Sequence, residues 1–280
     1  MQNNSIIKEL DKASLVSEII LLQNTKQCEK MTFVIVEGVD DVLLMKKFLN
    51  NNAYLLTCND GSTSVECIVN KDFREKENVI GIRDKDYLSI PSSHKIYFYD
   101  YNSLEIMVES NNTVFEALYS ENYHGKMTSK ELFWEVLNRL RIVSIVRKLN
   151  HDLQLQINFK PLRYDELIKK TKKEEWNDVV YEVLRKANAS KMGYELKEKV
   201  FNELGKEWSM EDFLNYTQGH DFNFMLHALC APSYPKSGLK ADVLEKTART
   251  MFSLTSFKRT SLYKDLKSNR NKKYKSFLMR

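Results

Sequence analysis

The chain has 280 residues, 42% of them hydrophobic and 29% charged, so it can bury a core and is predicted to be globular rather than disordered. Its 8 Gly and 4 Pro are fewer than usual, which disfavours collagen-like, linker-rich and sandwich folds, and no P-loop or Rossmann glycine motif occurs. The formal charge of +5 is unevenly placed, because residues 257–280 carry nine Lys or Arg and one acid, whereas residues 1–256 sum to −3.

Short apolar runs and amphipathic stretches alternate over the first part of the chain. The apolar runs predict strands at 31–36, 53–58, 78–83 and 95–99. Helical spacing predicts helices at 10–22, 42–49, 62–72 and 103–110. This alternation predicts the α/β class, with a parallel sheet flanked by helices, and a first domain at residues 1–112.

After residue 112 the pattern becomes mainly helical, so residues 113–280 are predicted to form a second, mainly helical domain with a basic C-terminal tail. Helices are expected at 129–150, 164–171, 174–189, 195–204, 210–216 and 222–230, and one isolated strand at 155–159. Four cysteines without metal-binding spacing indicate a reducing compartment. No secretory signal and no long apolar run occurs, so a soluble cytoplasmic protein without membrane contact is expected.

Carboxylates follow three of the four predicted strands at the point where each strand ends. Because parallel strands end at one edge of a sheet, these side chains are expected to lie together. Like charges at short range repel, and a divalent ion that prefers oxygen ligands, Mg²⁺ or Mn²⁺, would relieve the repulsion. Each acid taken alone could instead cap a helix or lie in a solvated turn. The acids are Glu37 and Asp41 after the first strand, Asp84 and Asp86 after the third, and Asp100 after the fourth, with Glu105 one helical turn later.

Two segments, FVIVEGVDDVLLMKKFL and GIRDKDY, resemble the TOPRIM domain of topoisomerases, primases and OLD-family nucleases over about residues 31–110. On this resemblance Glu37 is the TOPRIM glutamate, Asp41 the acid four positions on, and Asp84 and Asp86 the Asp-x-Asp pair. The chain is more closely similar to the DUF4435 group, which carries an Asp shortly before Leu-Glu, here Asp100 and Glu105, and a later Gly-His-Asp, here residues 219–221.

Within that group the chain most resembles the TOPRIM effectors of PARIS anti-phage defence systems. The resemblance implies a Mg²⁺- or Mn²⁺-dependent endonuclease and toxic effector, held inactive by an ABC-type ATPase subunit of a defence complex and aimed at RNA, with tRNA as the target class. Glu37, Asp84 and Asp86 are the expected catalytic residues, and together with Asp41 and Asp100 they are the expected metal ligands.

Three further candidates have alternative explanations. Glu105 could be an additional ligand of the ion, and Lys85 could contact a phosphate or point away from the acids. His220 could transfer a proton, or His220 and Asp221 could cap a helix that follows Gly219.

The basic tail is a candidate nucleic-acid interface, because cations interleaved with aromatic rings suit a phosphate backbone and stacked bases. A solvated helix end or a disordered tail is the alternative, and the helices of the second half could serve partner docking or a homodimer. The cations are Lys258, Arg259, Lys267, Arg270, Lys272 and Lys273, and the rings are Phe257, Tyr263, Tyr274 and Phe277.

Other functions remain open at the level of sequence. An OLD-like nuclease would cleave DNA, whereas a degenerate TOPRIM domain would only bind a partner or sense nucleic acid. Topoisomerase chemistry lacks a recognisable nucleophile-tyrosine domain, and the cysteine spacing excludes the zinc module usual in primases.

Overall fold

The computed structural model describes residues 2–58, 61–169, 173–230, 239–268, 274 and 276–279. Packing divides the chain into two compact units, one of Met1–Asp100 with Ser253–Arg280, which we call the sheet unit, and one of Tyr101–Phe252, the helical unit. Residues 101–112 therefore pack with the helical unit and residues 253–280 with the sheet unit. The division into domains after residue 112 stays a prediction.

The sheet unit contains four parallel strands in the order β2-β1-β3-β4. They are β1 Thr32–Val36, β2 Ala53–Thr57, β3 Val79–Arg83 and β4 Ile96–Phe98. The central strands β1 and β3 are buried at every position, as expected for near-continuous apolar runs covered on both faces. The prediction of an α/β fold with a parallel sheet is confirmed, and so is the mainly helical remainder.

Helices overlap every range that the sequence predicts to be helical. In chain order they are α1 Gln2–Gln23, α2 Val39–Met45, α3 Ser62–Cys67, α4 Leu104–Glu109, α5 Asn112–Asn122, α6 Ser129–Asp152, α7 Tyr164–Leu167, α8 Lys173–Ala187, α9 Tyr194–Leu204, α10 Met210–Tyr216, α11 Gly219–Cys230, α12 Ala241–Met251, α13 Leu254–Phe257 and α14 Ser261–Ser268. Helix α3 continues as a π-helical segment, Ile68–Asp72. Of the helices in the described ranges, none has both the length and the apolar character needed to cross a membrane.

The prediction of an isolated strand at 155–159 is wrong, because this segment has no regular secondary structure. Gln154 and Gln156 have positive φ angles of 51° and 54°, which no extended strand adopts. Two backbone N–H groups that would pair with a neighbouring strand are instead bound by side chains. Asn150 Oδ1 accepts from the Ile157 N–H at 2.7 Å, and Asn188 Oδ1 accepts from the Asn158 N–H at 2.8 Å.

A glycine in β3 allows helix α3 to pack closely on the sheet. A Cβ at Gly81 would lie 2.6 Å from Val65 Cγ1 and 2.8 Å from Ile96 Cδ1, closer than carbon atoms approach without a clash. Val65 and Val79 are fully buried beside it. This packing fixes β3, and with it the residues that follow Arg83.

Candidate metal-binding edge of the sheet

The ends of β1 and β3 are joined by a hydrogen bond between the two sequence motifs. Glu37 directly follows β1, Asp84 directly follows β3, and the Asp84 N–H donates to Glu37 Oε1 at 2.8 Å. The turn before α3 also passes close by, because a Cβ at Gly61, whose φ is +77°, would lie 4.0 Å from Glu37 Oε2. The C-terminal ends of β1 and β3 thus lie side by side, because these two strands are parallel neighbours in the sheet. We call Glu37, Asp41, Asp84 and Asp86 the sheet-edge acids.

Burial and neighbouring charge act in the same direction on Glu37. Burial, followed by the carboxylates of Asp86 and Asp41, raises the pKa of Glu37 to about 7, although the Asp84 N–H and the Arg83 cation oppose the rise. A carboxyl group with such a pKa is poised between its two protonation states at neutral pH. Perturbed groups of this kind are concentrated at functional sites, although structural clusters also produce them.

Asp41 acts as a helix cap as well as a sheet-edge acid. Its Oδ2 accepts from the Gly38 N–H at 3.0 Å, so the Asp41 side chain satisfies the N–H of the residue that precedes α2. Its Oδ1 accepts from the Tyr99 hydroxyl at 2.7 Å. Tyr99 is buried, and burial together with the Asp41 charge raises the pKa of this phenol well above its usual range. Asp41 is therefore held in a fixed orientation from two sides.

A buried arginine orients Asp86. The Arg83 guanidinium donates from Nη2 to Asp86 Oδ2 at 3.0 Å and from Nη1 to Glu66 Oε1 at 2.7 Å. The chain has left the strand conformation here, because Asp86 and Tyr87 have φ angles of 46° and 69°. Sequence reasoning missed Arg83 as a member of the cluster, although a cation next to Asp-x-Asp was visible.

Asp100 caps a helix from the C-terminal segment. Its Oδ2 accepts from the Ser261 N–H at 2.8 Å, and its Oδ1 accepts from the Leu262 N–H at 2.9 Å. Both belong to the first turn of α14, whose free N–H groups attract a carboxylate. The structure thus gives Asp100 the helix-capping role that the sequence leaves open for each of these acids, and its role as a metal ligand stays a prediction. Lys85 is half-buried.

Glu105 and His220 belong to the helical unit, where they lie beside an acid that the sequence analysis missed. Among the residues that the structure describes, one set of three His, Cys, Asp or Glu side chains has its ligand atoms all within 4.8 Å of one another, and it consists of Glu105, His220 and Glu245. We call it the helix-junction group. Helix α11 begins at Gly219, so His220 and Asp221 lie inside its first turn rather than capping it.

The described part of the basic tail packs against the sheet unit. Phe257 is fully buried and stacks on Phe48 with ring centroids 4.3 Å apart, and Phe277 is buried as well. The expectation that these two rings stack on bases is therefore wrong. Arg259 and Lys267 are exposed and Lys258 is partly exposed, whereas Arg270, Lys272 and Lys273 lie outside the described residues.

In comparisons with known proteins, no family model matches the chain and no curated protein matches it.

Proposed function

We propose that the chain is a divalent-metal-dependent endonuclease of the TOPRIM type that cleaves RNA. The observation that carries this proposal is the hydrogen bond from the Asp84 N–H to Glu37 Oε1. It unites the Glu-Gly-x-x-Asp and Asp-x-Asp motifs at one edge of a parallel sheet, where open α/β sheets place their ligands.

The donor set at this edge fits a hard divalent cation. Glu37, Asp84 and Asp86 offer carboxylate oxygens only, which suit Mg²⁺ or Mn²⁺. Burial, followed by the charges of Asp86 and Asp41, raises the pKa of Glu37, and a cation at this edge would favour the ionised carboxylate. Glu37, Asp84 and Asp86 would hold the ion, and the carboxylate of Asp41 would support Glu37 by its charge.

Phosphodiester cleavage needs charge stabilisation at the phosphate and an activated oxygen nucleophile, both of which a bound divalent ion supplies. Glu37 would serve as a ligand of the ion or as the general base that accepts a proton from the nucleophile. Arg83 holds Asp86 in place through its Nη2 contact. Lys258, Arg259 and Lys267 give the same unit positive charge for a phosphate backbone.

The resemblance to PARIS effectors is the basis for proposing RNA as the substrate, with tRNA as the target class. It is also the basis for proposing a toxic effector of anti-phage defence. The same resemblance supports an ABC-type ATPase as the partner that restrains the chain. The sequence contains no P-loop, so nucleotide-driven control would come from such a partner.

Cleavage by the purified chain tests the proposal. Wild-type protein with Mg²⁺ is expected to cut tRNA, whereas Glu37→Gln and Asp84→Asn lose at least about a hundredfold in rate because ion binding and proton transfer fail. Glu75→Gln is the matched control, since the Glu75 side chain is 90% exposed. Products are followed on denaturing gels. Equal rates for Glu37→Gln and wild type would overturn the assignment, and cleavage of DNA alone would overturn the substrate class.

A further inference from the structure

Three helices of the helical unit bring the helix-junction group together. Glu105 lies in the first turn of α4, His220 in the first turn of α11, and Glu245 in α12. His220 Nδ1 is 3.9 Å from Glu245 Oε2. A glycine permits this approach, because a Cβ at Gly219 would lie only 2.3 Å from Glu105 Oε2. Glu105 also accepts from the Ser103 hydroxyl at 2.7 Å, which orients its carboxylate.

A buried carboxyl group, that of Glu109, lies close to this group. Glu109 lies one turn after Glu105 on α4, on the same face, and is 1% exposed. Neither carboxylate oxygen of Glu109 makes a well-formed hydrogen bond to a described residue, and the side-chain amide of Asn223 only partly opposes the effect of burial on the Glu109 pKa. Glu109 is close enough to Glu105 and Glu245 for their charges to act on it, and burial raises its pKa well above the usual range. A buried carboxyl without a well-formed hydrogen bond is costly.

An arginine also lies at this junction. Arg249 Nη1 lies 3.5 Å from Glu245 Oε1, which is an ion pair of long range rather than a well-formed hydrogen bond. The carboxyl groups of Glu105 and Glu109 are close to the same junction. A cation held by Glu105, His220 and Glu245 would add positive charge next to these acids.

The spacing of the ligand atoms suits a small ion. Two atoms bound to one ion at about 2.1 Å can be at most about 4.2 Å apart, so a group within 4.8 Å closes on an ion by small side-chain rotations. One imidazole with two carboxylates favours first-row transition ions over Mg²⁺, which prefers oxygen ligands and water.

We propose that Glu105, His220 and Glu245 bind a divalent first-row transition ion of the Zn²⁺ or Mn²⁺ class, with the buried Glu109 carboxyl behind them. The ion links α4, α11 and α12. His220 has a side chain that is 71% exposed, so the remaining coordination positions are open to water or to a phosphate oxygen on that side. This site uses none of the sheet-edge acids and is independent of the proposed nuclease function.

Calorimetric titration with Zn²⁺ in excess Mg²⁺, which fills hard oxygen sites, tests the site in the full chain. Wild-type protein is expected to bind Zn²⁺, and His220→Ala and Glu245→Gln to bind it at least about tenfold more weakly at this site. His94→Ala is the matched control, because the His94 side chain is also 71% exposed and its Nε2 lies 3.2 Å from Glu77. Thermal unfolding gives a second readout, since Zn²⁺ should raise the Tm of wild type and His94→Ala more than that of His220→Ala.

His220 is exposed, so His220→Ala is expected to keep the fold, and circular dichroism checks this. The same Zn²⁺ affinity and stoichiometry in wild type and His220→Ala would overturn the proposal, and so would equal weakening by His94→Ala. A loss shared by His220→Ala and Glu245→Gln but absent from His94→Ala would support it.

Discussion

At the scale of single residues, burial and neighbouring negative charge act together on Glu37. Its carboxyl is half-buried next to Asp41 and Asp86, and its pKa rises to about 7. The folded chain therefore holds the Glu37 proton more tightly than the unfolded chain does. Rising pH between about 4.5 and about 7 then removes stability, because the folded state must give up a proton that it favours.

Replacing Glu37 by Gln should remove this dependence in metal-free protein. The amide keeps the shape of the protonated carboxyl and does not ionise, so Glu37→Gln is expected to be about 2–3 kcal/mol more stable than wild type at pH 8, with little difference near pH 4. Urea unfolding with EDTA at several pH values measures this. Glu75→Gln should follow wild type throughout, and parallel curves for Glu37→Gln and wild type would contradict the account.

The sequence predicts which acids follow which strands, but their individual contacts depend on details that no pattern carries. The meeting of Glu37 with Asp84 follows once β1 and β3 are parallel neighbours in the sheet, and that order was not predicted from the sequence. The pairing of Asp86 with Arg83 instead depends on a positive φ at Asp86. A capping role for Asp41 was among the alternatives that the sequence left open, and the hydrogen bond from the Gly38 N–H gives it that role.

At the scale of elements, the C-terminal helix α14 is tied to the end of β4. Asp100, two residues after β4, accepts from the first two N–H groups of α14. A carboxylate in this position satisfies donors that the helix itself cannot satisfy and interacts with the positive end of the helix dipole. The helix is eight residues long, so its ends weigh heavily in its stability.

Removing this cap should destabilise the sheet unit. Asp100→Ala leaves two N–H groups without their acceptor and is expected to lower the free energy of unfolding by about 1–2 kcal/mol without any metal present. Asp265→Ala, on the exposed face of the same helix, should change it by less than about 0.5 kcal/mol. Urea unfolding in EDTA makes the comparison. An Asp100→Ala variant as stable as Asp265→Ala would contradict the capping role.

Helices and strands with a clear sequence pattern were predicted correctly more often than those without one. The strands were predictable because buried parallel strands consist of continuous apolar residues. Helix α5 was missed although Asn111 caps it, with Oδ1 accepting from the Val114 N–H, which is a readable signal. The strand at 155–159 was predicted from composition, but its backbone is bound by Asn150 and Asn188, and such tertiary contacts are invisible in sequence.

At the scale of the whole chain, the C-terminal segment returns to the sheet unit, an association that composition could not show. Leu278 forms an antiparallel bridge with Leu49, and Asn50 Nδ2 donates to the Ser276 and Leu278 carbonyls at 2.9 and 3.0 Å. This association also locates the basic tail, which the sequence shows only as an uneven distribution of charge. The acids that follow the strands and the described tail cations belong to one packing unit.

The central claim is that the sheet-edge acids make this chain an RNA-cleaving enzyme. Sequencing the ends of RNA from cells that express the chain alone tests the claim most directly. Wild type and Glu75→Gln are expected to produce the same new ends, concentrated in tRNA, and Glu37→Gln and Asp84→Asn to produce none at equal protein levels. New RNA ends of equal abundance in cells expressing Glu37→Gln and wild type would contradict the account.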